Sequence, residues 1–198
     1  MSDAARRFAP ATLRNRDALL DALRGVLPEA GMVLEVASGT GEHAVHVASA
    51  LSGLIWQPSD PSEEARASID AWAGDVPNIR PAMELNASAW PWPVTAADAL
   101  VCVNLIHIAP WSACLGLLRG ARSILAPGAA LILYGPFLRA GVATARGNLE
   151  FNASLRESDL AWGIRALEDV VAAADGFTLD RVMEMPANNL TVVFRRVG

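Results

Sequence analysis

Runs of apolar residues alternate along the chain between strand length and helical spacing, from the first helix to the final strand. Asp17–Leu27 carries Leu19, Leu20, Leu23 and Leu27 on one face and predicts an amphipathic helix ahead of Pro28. Met32–Ala37 reads as a short strand interrupted only by Glu35, and Ser38–Gly41 as a glycine turn. Glu42–Leu51 returns to helical spacing through Val45, Ala48 and Leu51. A strand follows at Leu54–Gln57, then the turn Pro58-Ser59-Asp60-Pro61. Ser62–Trp72 is predicted helical, with Ser62 placed to cap it and Glu63 and Glu64 in its first turn.

The second half continues the alternation. Ile79–Leu85 is a strand candidate, and Trp90-Pro91-Trp92-Pro93 reads as a fixed loop, since proline cannot sit inside a helix. Strands are predicted at Ala99–Asn104 and Ala129–Tyr134, with the helix Trp111–Leu125 between them and Pro127-Gly128 after it. Gly135–Arg165 reads as irregular with a helical piece near Leu149–Glu157; long connections in compact domains tend to be functional, so it is read as a substrate lid. Leu167–Ala174 is a helix. Thr178–Met185 and Thr191–Arg196 close the chain as strands joined by Pro186-Ala187-Asn188-Asn189, a linker short enough for an antiparallel hairpin but not for a parallel crossover. The whole is an α/β pattern with a parallel sheet. With no repeat or linker in 198 residues, residues 1–198 are expected to form a single domain.

Composition narrows the chemistry. All sixteen basic residues are arginines, so a lysine Schiff base, a lysine base and a lysine-bearing phosphate loop are excluded. A net charge of −5 without a basic run argues against nucleic-acid binding. Cys102 and Cys114 do not make a disulfide scaffold or a zinc site. Neither a signal peptide nor a membrane-length apolar run is evident, so a cytoplasmic protein without a membrane partner is expected.

The turn Glu35-Val36-Ala37-Ser38-Gly39-Thr40-Gly41 lies where a strand hands over to a helix. Glycine lets backbone approach a ligand, and a helix start offers N–H groups to phosphate or carboxylate. Gly39-Thr40-Gly41-Glu42-His43-Ala44 also fits the relaxed dinucleotide fingerprint, with Asp60 placed for ribose in either reading. Glu35 separates the two: a carboxylate beside the turn repels a pyrophosphate and attracts an ammonium group. An acid paired with an arginine, over a tight turn without a ligand, is the plain structural alternative.

Glu35-x-Ala37-x-Gly39-x-Gly41 resembles the acid-x-Gly-x-Gly-x-Gly motif of class I S-adenosylmethionine-dependent methyltransferases, with Ala37 in place of the first glycine. Val33–His43, Gln57–Asp60, Asn104–Ile108 and Asn188–Leu190 resemble a small methyltransferase-like family of unassigned substrate. The resemblance implies a Rossmann-like, doubly wound, seven-stranded sheet whose last strand is antiparallel, with S-adenosylmethionine as cofactor. Glu35 would then lie near the cofactor's amino end, with Ala37, Ser38, Gly39 and Gly41 beneath it and His43 close by. Asp60 would accept the ribose hydroxyls, Asn86 and Ala87 would meet adenine, and Asn104 would face the reactive side. Arg14 and Asn15, expected ahead of the first helix, would hold the methionine carboxylate.

Methyl transfer is a displacement governed by alignment, and it needs a base only for a protonated acceptor. His107 is the candidate base and Tyr134 a candidate substrate contact; packing of either into the core is the alternative. His43 and His46 share a helical face but lack a third ligand, so no metal is expected. The leading expectation is a methyltransferase acting on a small or medium organic molecule. Behind it stand a non-catalytic S-adenosylmethionine-binding module and an NAD-dependent oxidoreductase.

Overall fold

The computed structural model describes residues 3–198 and places six strands in one sheet, in the order β2-β1-β3-β4-β6-β5. These are β1 (Gly31–Val36), β2 (Leu54–Ser59), β3 (Ala97–Val103), β4 (Leu125–Pro136), β5 (Phe177–Met185) and β6 (Asn189–Arg196). β1 to β4 pair in parallel, and β6 inserts antiparallel between β4 and β5, as the short closing linker requires. The linker itself is a 3-10 turn over Pro186–Asn188, with Ala187 and Asn188 at φ +57°.

Helices cover both faces. α1 (Pro10–Arg24) and α2 (Glu42–Ala50) pack on one face, where Leu19, Leu23 and Val47 meet Val33, Val101 and Ile132. α3 (Glu63–Ala73) lies beside α2. On the other face α4 (Trp111–Ile124) and α6 (Leu167–Ala173) bury Leu117, Leu118 and Val170 against Leu100, Leu131 and Phe194. Because both faces are covered, the interior strands β1, β3 and β4 are apolar at nearly every position, Glu35 of β1 and Asp98 of β3 excepted, the mark of a buried parallel sheet. Among the described residues no helix is long and apolar enough to cross a membrane.

Two expectations need correction. The sheet has six strands, not seven: Ile79–Leu85 touches β2 only through isolated bridges at Trp56–Ile79 and Ser59–Met83. Proline explains it. The segment exchanges Arg80 N–H to Trp56 O at 2.9 Å and Met83 N–H to Pro58 O at 3.1 Å. Between those bonds Pro58 has no N–H to donate, and Pro81 bends the partner away, so the ladder cannot run through. The first helix begins at Pro10, not Asp17, with proline in the first turn where a missing N–H is harmless. Arg14 and Asn15 therefore lie inside α1 rather than before it. Its apolar stripe is confined to the later turns, which is why the earlier start escapes the periodicity.

The Trp-Pro-Trp-Pro loop is fixed as expected. Trp92 is buried, and Trp90 lies exposed with the Arg119 guanidinium 5.3 Å over its ring. α4 approaches this loop through glycine: a Cβ on Gly120 would overlap the Trp92 ring, and one on Gly116 would overlap the carbonyl of Ala87. Overpacking of this kind costs about 1–3 kcal/mol. Gly120→Ala should therefore lower the denaturant midpoint by an amount in that range, because the rigid ring has no room to retreat. A midpoint equal to wild type would show that the loop does not pack on α4.

Candidate functional site

The turn after β1 is built from left-handed backbone. Ala37, Gly39 and Gly41 stand at φ +60°, +58° and +91°. Ala37 thus occupies the first-glycine position in a conformation that only glycine adopts freely, and an L side chain there costs about 1–2 kcal/mol. Gly41 is required for space as well: a Cβ would lie 2.7 Å from Ile69 Cα of α3. Gly39 differs, since a Cβ there would meet nothing within 4 Å. The turn is an open cradle above Gly39 and tightly packed below Gly41.

Two carboxylates bound this cradle. Asp60, directly after β2, accepts the Gly39 N–H at 3.1 Å on one oxygen and the Ser62 N–H at 3.0 Å on the other. It links the turn to the start of α3. Ser59 and Ser38 complete the brace: Ser59 Oγ donates to Glu35 O at 2.7 Å, and Ser59 N–H donates to Ser38 Oγ at 3.2 Å. Glu35 lies within β1 rather than at its open mouth, 2% exposed, and accepts the Trp56 indole N–H at 2.9 Å. Burial raises its carboxyl above the ordinary carboxylate range; Trp56 and Ser38 oppose that, and Asp60 adds to it.

A third carboxylate was not anticipated. Glu42, in the first turn of α2, accepts the Ala9 N–H at 2.6 Å and the Thr40 hydroxyl at 3.0 Å, tying residues 3–9 to the turn. An acid in the first helical turn is a common sequence feature, so nothing in the letters distinguished it.

The remaining candidates separate by face. On the α1–α2 side, Asn15 is buried and accepts the His43 Nε2–H at 2.8 Å, whereas Arg14 lies on the exposed side of α1. Burial, with His46 and Arg16 nearby, lowers His43 to about 4, so it is neutral near pH 7. Tyr134 is buried on this same face, and its hydroxyl makes no hydrogen bond within 3.5 Å. Burial raises its pKa, opposed by the amides of Asn15 and Asn189.

On the α4 side, Asn104 follows β3 at φ +62°, a conformation asparagine tolerates, and its N–H donates to Tyr134 O at 2.8 Å. His107 sits in the 3-10 turn Leu105–His107, fully buried, edge-on to Phe137 with ring centroids 5.0 Å apart. Its Nδ1 accepts the Arg165 backbone N–H at 3.3 Å, which leaves the proton on Nε2, and Nε2 has no partner. Burial, with the Arg165 cation beside it, pushes His107 down to about 3. A Cβ on Gly135 would lie 2.8 Å from this ring and 3.0 Å from Asn104 Oδ1, so glycine at the end of β4 is what lets the imidazole in. Arg165 bolts the end of the long segment to this turn, donating to Ile106 O at 2.9 Å and to Ala109 O at 2.7 Å.

Other residues fall elsewhere. Asn86 is exposed and closes a local turn through Ser88 N–H at 2.9 Å, and Ala87 packs in the core against α4. Both cysteines are buried; burial raises the Cys102 thiol and pushes Cys114 up to about 12, so neither is a nucleophile. Among the described residues no group of His, Cys, Asp and Glu could hold a metal ion. Beyond the end of β4, α5 (Arg146–Ser158) and the loop before it enclose a cavity of about 150 Å³ with the β5–β6 turn. Phe137, Arg139, Asn148, Glu184, Asn188 and Leu190 line it.

Solved structures share this architecture. The mitomycin 7-O-methyltransferase MmcR is 16% identical with a TM-score of 0.76, over 94% of this chain and 54% of that one. CalO1, a methyltransferase in calicheamicin biosynthesis in its SAH-bound form, is 20% identical with a TM-score of 0.74, over 94% and 55%. An O-methyltransferase family protein from Burkholderia thailandensis is 15% identical with a TM-score of 0.75, over 92% and 60%. The chain spans little more than half the length of these proteins, and at such identities the likeness establishes the fold, that of class I S-adenosylmethionine-dependent methyltransferases. By sequence, residues 6–196 match the family described as protein of unknown function (DUF938), and the chain belongs to that family.

Proposed function

We propose that the protein is an S-adenosylmethionine-dependent methyltransferase acting on a small or medium organic molecule. The observation that carries this reading is the open cradle above Gly39, bounded by Asp60 and backed by the buried Glu35, on a fold shared with methyltransferases. When bound, the cofactor supplies an electrophilic methyl group on a sulfonium. Asp60 keeps lone pairs for ribose hydroxyls beyond those given to the two backbone N–H groups. Glu35 supplies negative potential beneath the turn, which favours an ammonium group and disfavours a pyrophosphate. Asn15, Ala37, Ser38, Gly41, His43 and Asn104 complete the cofactor's surroundings in this reading, with Arg14, Asn86 and Ala87 at its margins.

The acceptor lies beyond the end of β4, with residues 135–165 as its lid. His107 and Tyr134 serve it differently from a general acid–base pair. At a pKa of about 3, His107 is too weak a base to take a proton near neutrality; its Nε2–H is a donor instead. The reaction is then a direct displacement, in which the protein aligns acceptor and methyl group and excludes water.

Calorimetry with S-adenosylhomocysteine, S-adenosylmethionine and NAD tests the cofactor. The adenosyl compounds should bind and NAD should not; NAD alone binding would overturn the reading. Asp60→Asn keeps the shape and one acceptor oxygen, so it should weaken S-adenosylhomocysteine by about tenfold, the loss of roughly 1.4 kcal/mol typical of one charged hydrogen bond. Unchanged affinity would place the ribose elsewhere.

The state of His107 has its own test. Its folded pKa is depressed below the ordinary 6.5, so the unfolded chain takes up more protons between about pH 6.5 and 3. Stability from this residue is full above 6.5 and is lost as pH falls through that window, by at most about 1.4 kcal/mol per pH unit. Denaturant midpoints followed from pH 7 to 4.5 should fall less steeply in His107→Gln than in wild type, whatever the absolute stability of the variant. Parallel slopes would mean that the imidazole titrates normally.

A further inference from the structure

Residues 6–9, ahead of α1, lie against α3 and the start of α2, and two hydrogen-bonded routes lead from them to one residue of the glycine turn. Along the first, Glu42 Oε2 accepts both the Ala9 N–H at 2.6 Å and the Thr40 hydroxyl at 3.0 Å. Along the second, Ser68 of α3 accepts the Arg7 N–H at 2.9 Å and donates its own hydroxyl to Thr40 O at 2.8 Å. Thr40 stands between Gly39 and Gly41, so each route joins backbone of the chain start to the middle of the cradle. Ser68 and Glu42 are both buried, which shields the two routes from water.

The segment is otherwise lightly held. Its remaining anchors lie at the end of α3, where Arg6 Nε donates to Ala71 O at 3.0 Å and the Trp72 indole N–H donates to Arg7 O at 2.8 Å. The Arg6 guanidinium lies 5.0 Å over the Trp72 ring. Phe8 meets the same ring edge-on with centroids 5.1 Å apart, yet remains 70% exposed. None of residues 6–9 is buried. A segment fixed by hydrogen bonds with so little apolar burial opens at low free-energy cost.

We propose that residues 6–9 are a strap whose closure is coupled to binding at the glycine turn, with Glu42 and Ser68 as the positioning residues that carry the coupling. An open strap uncovers both side chains and leaves each with one partner instead of two, so water and other rotamers compete for their bonds to Thr40. Coupling is reciprocal: a ligand that steadies Thr40 from the cradle side also holds the strap closed. Neither Glu42 nor Ser68 touches the ligand in this account; both act through Thr40. The strap rests on the methyl-transfer reading only in taking the ligand at the turn to be the S-adenosyl cofactor.

Amide hydrogen exchange resolved by residue, with calorimetry on the same samples, decides it. S-adenosylhomocysteine should slow exchange of the Arg7 and Ala9 amides by about fivefold or more. Trp72→Ala releases three anchors of the strap at a residue that makes no contact with the turn. It should weaken S-adenosylhomocysteine by about fivefold, and Trp72→Phe, which loses only the indole N–H, should fall between it and wild type. In the free protein, Trp72→Ala should also speed exchange of the Gly39 and Gly41 amides by about threefold or more relative to β3 amides, which report global unfolding. Ser68→Ala and Glu42→Gln each break one route at its middle, so either one combined with Trp72→Ala should cost less affinity than the product of the two single effects. Arg7 and Ala9 amides indifferent to bound S-adenosylhomocysteine, or turn amides and affinity unchanged in Trp72→Ala while the strap amides accelerate, would overturn the coupling. Fully multiplicative effects in both double variants would remove Ser68 and Glu42 from it. Failure of wild type to bind S-adenosylhomocysteine would overturn the cofactor reading instead, and the turn amides of the free protein would still decide the strap.

Discussion

The ladder between β4 and β6, running from Ala130–Arg195 to Pro136–Asn189, joins a strand that carries the chain out of the parallel sheet to one that returns against it. Its register controls both sides of the candidate site at once. With Tyr134 opposite Thr191, the two hydroxyls face α1 and α2, while the next pair, Gly135 and Leu190, faces α4 and leaves room for His107. A slip of one residue would turn every one of these side chains to the other face. Burial of Val192 and Phe194 on one side and Val193 on the other makes such a slip expensive, so the apolar core enforces the placement of a few polar groups.

The glycine turn answers to a different constraint, the buried carboxylate. Glu35 lies in the sheet beneath backbone that is already left-handed at Ala37, Gly39 and Gly41. Such a turn holds only if its N–H groups and neighbouring strand ends are tied down, and Asp60 and the two serines at positions 38 and 59 do this. The same bonds that stabilise the turn hold Asp60 at the lip of the cradle. Positioning and stability are here one set of contacts. They also leave two acids close enough for Asp60 to raise Glu35, an arrangement that favours a cation over the turn.

Much of this was legible in the letters. Alternation of helix and strand, the closing hairpin and the glycine turn all follow from local rules of period and turn chemistry, because each depends on residues close in sequence. What failed depended on pairing. Ile79–Leu85 has the composition of a strand, yet whether it joins a ladder turns on Pro58 in a different strand standing against Pro81. The start of α1 was missed because the buried positions of its first turns are polar, Thr12 and Asn15, and carry no apolar stripe. Ser68 was invisible for a related reason. A serine within a helix signals nothing by itself, and only the placement of α3 beside the turn reveals that its hydroxyl joins the Arg7 N–H to Thr40 O.

His107 shows how burial changes what a residue type can do. Its place after the third parallel strand suits a catalytic histidine, and its free pKa suits base work near neutrality. Inside the fold, Arg165 donates a backbone N–H to Nδ1 and sets a cation beside the ring, while the core strips the imidazole of water. Each of these moves the proton equilibrium the same way, toward a neutral ring with its hydrogen on Nε2. The arginine that fastens the long segment to this turn therefore also fixes the electronic state of the histidine. With His43 likewise neutral, both histidines near this sheet edge are held as uncharged rings, so what they offer their surroundings is a fixed N–H donor rather than a charge.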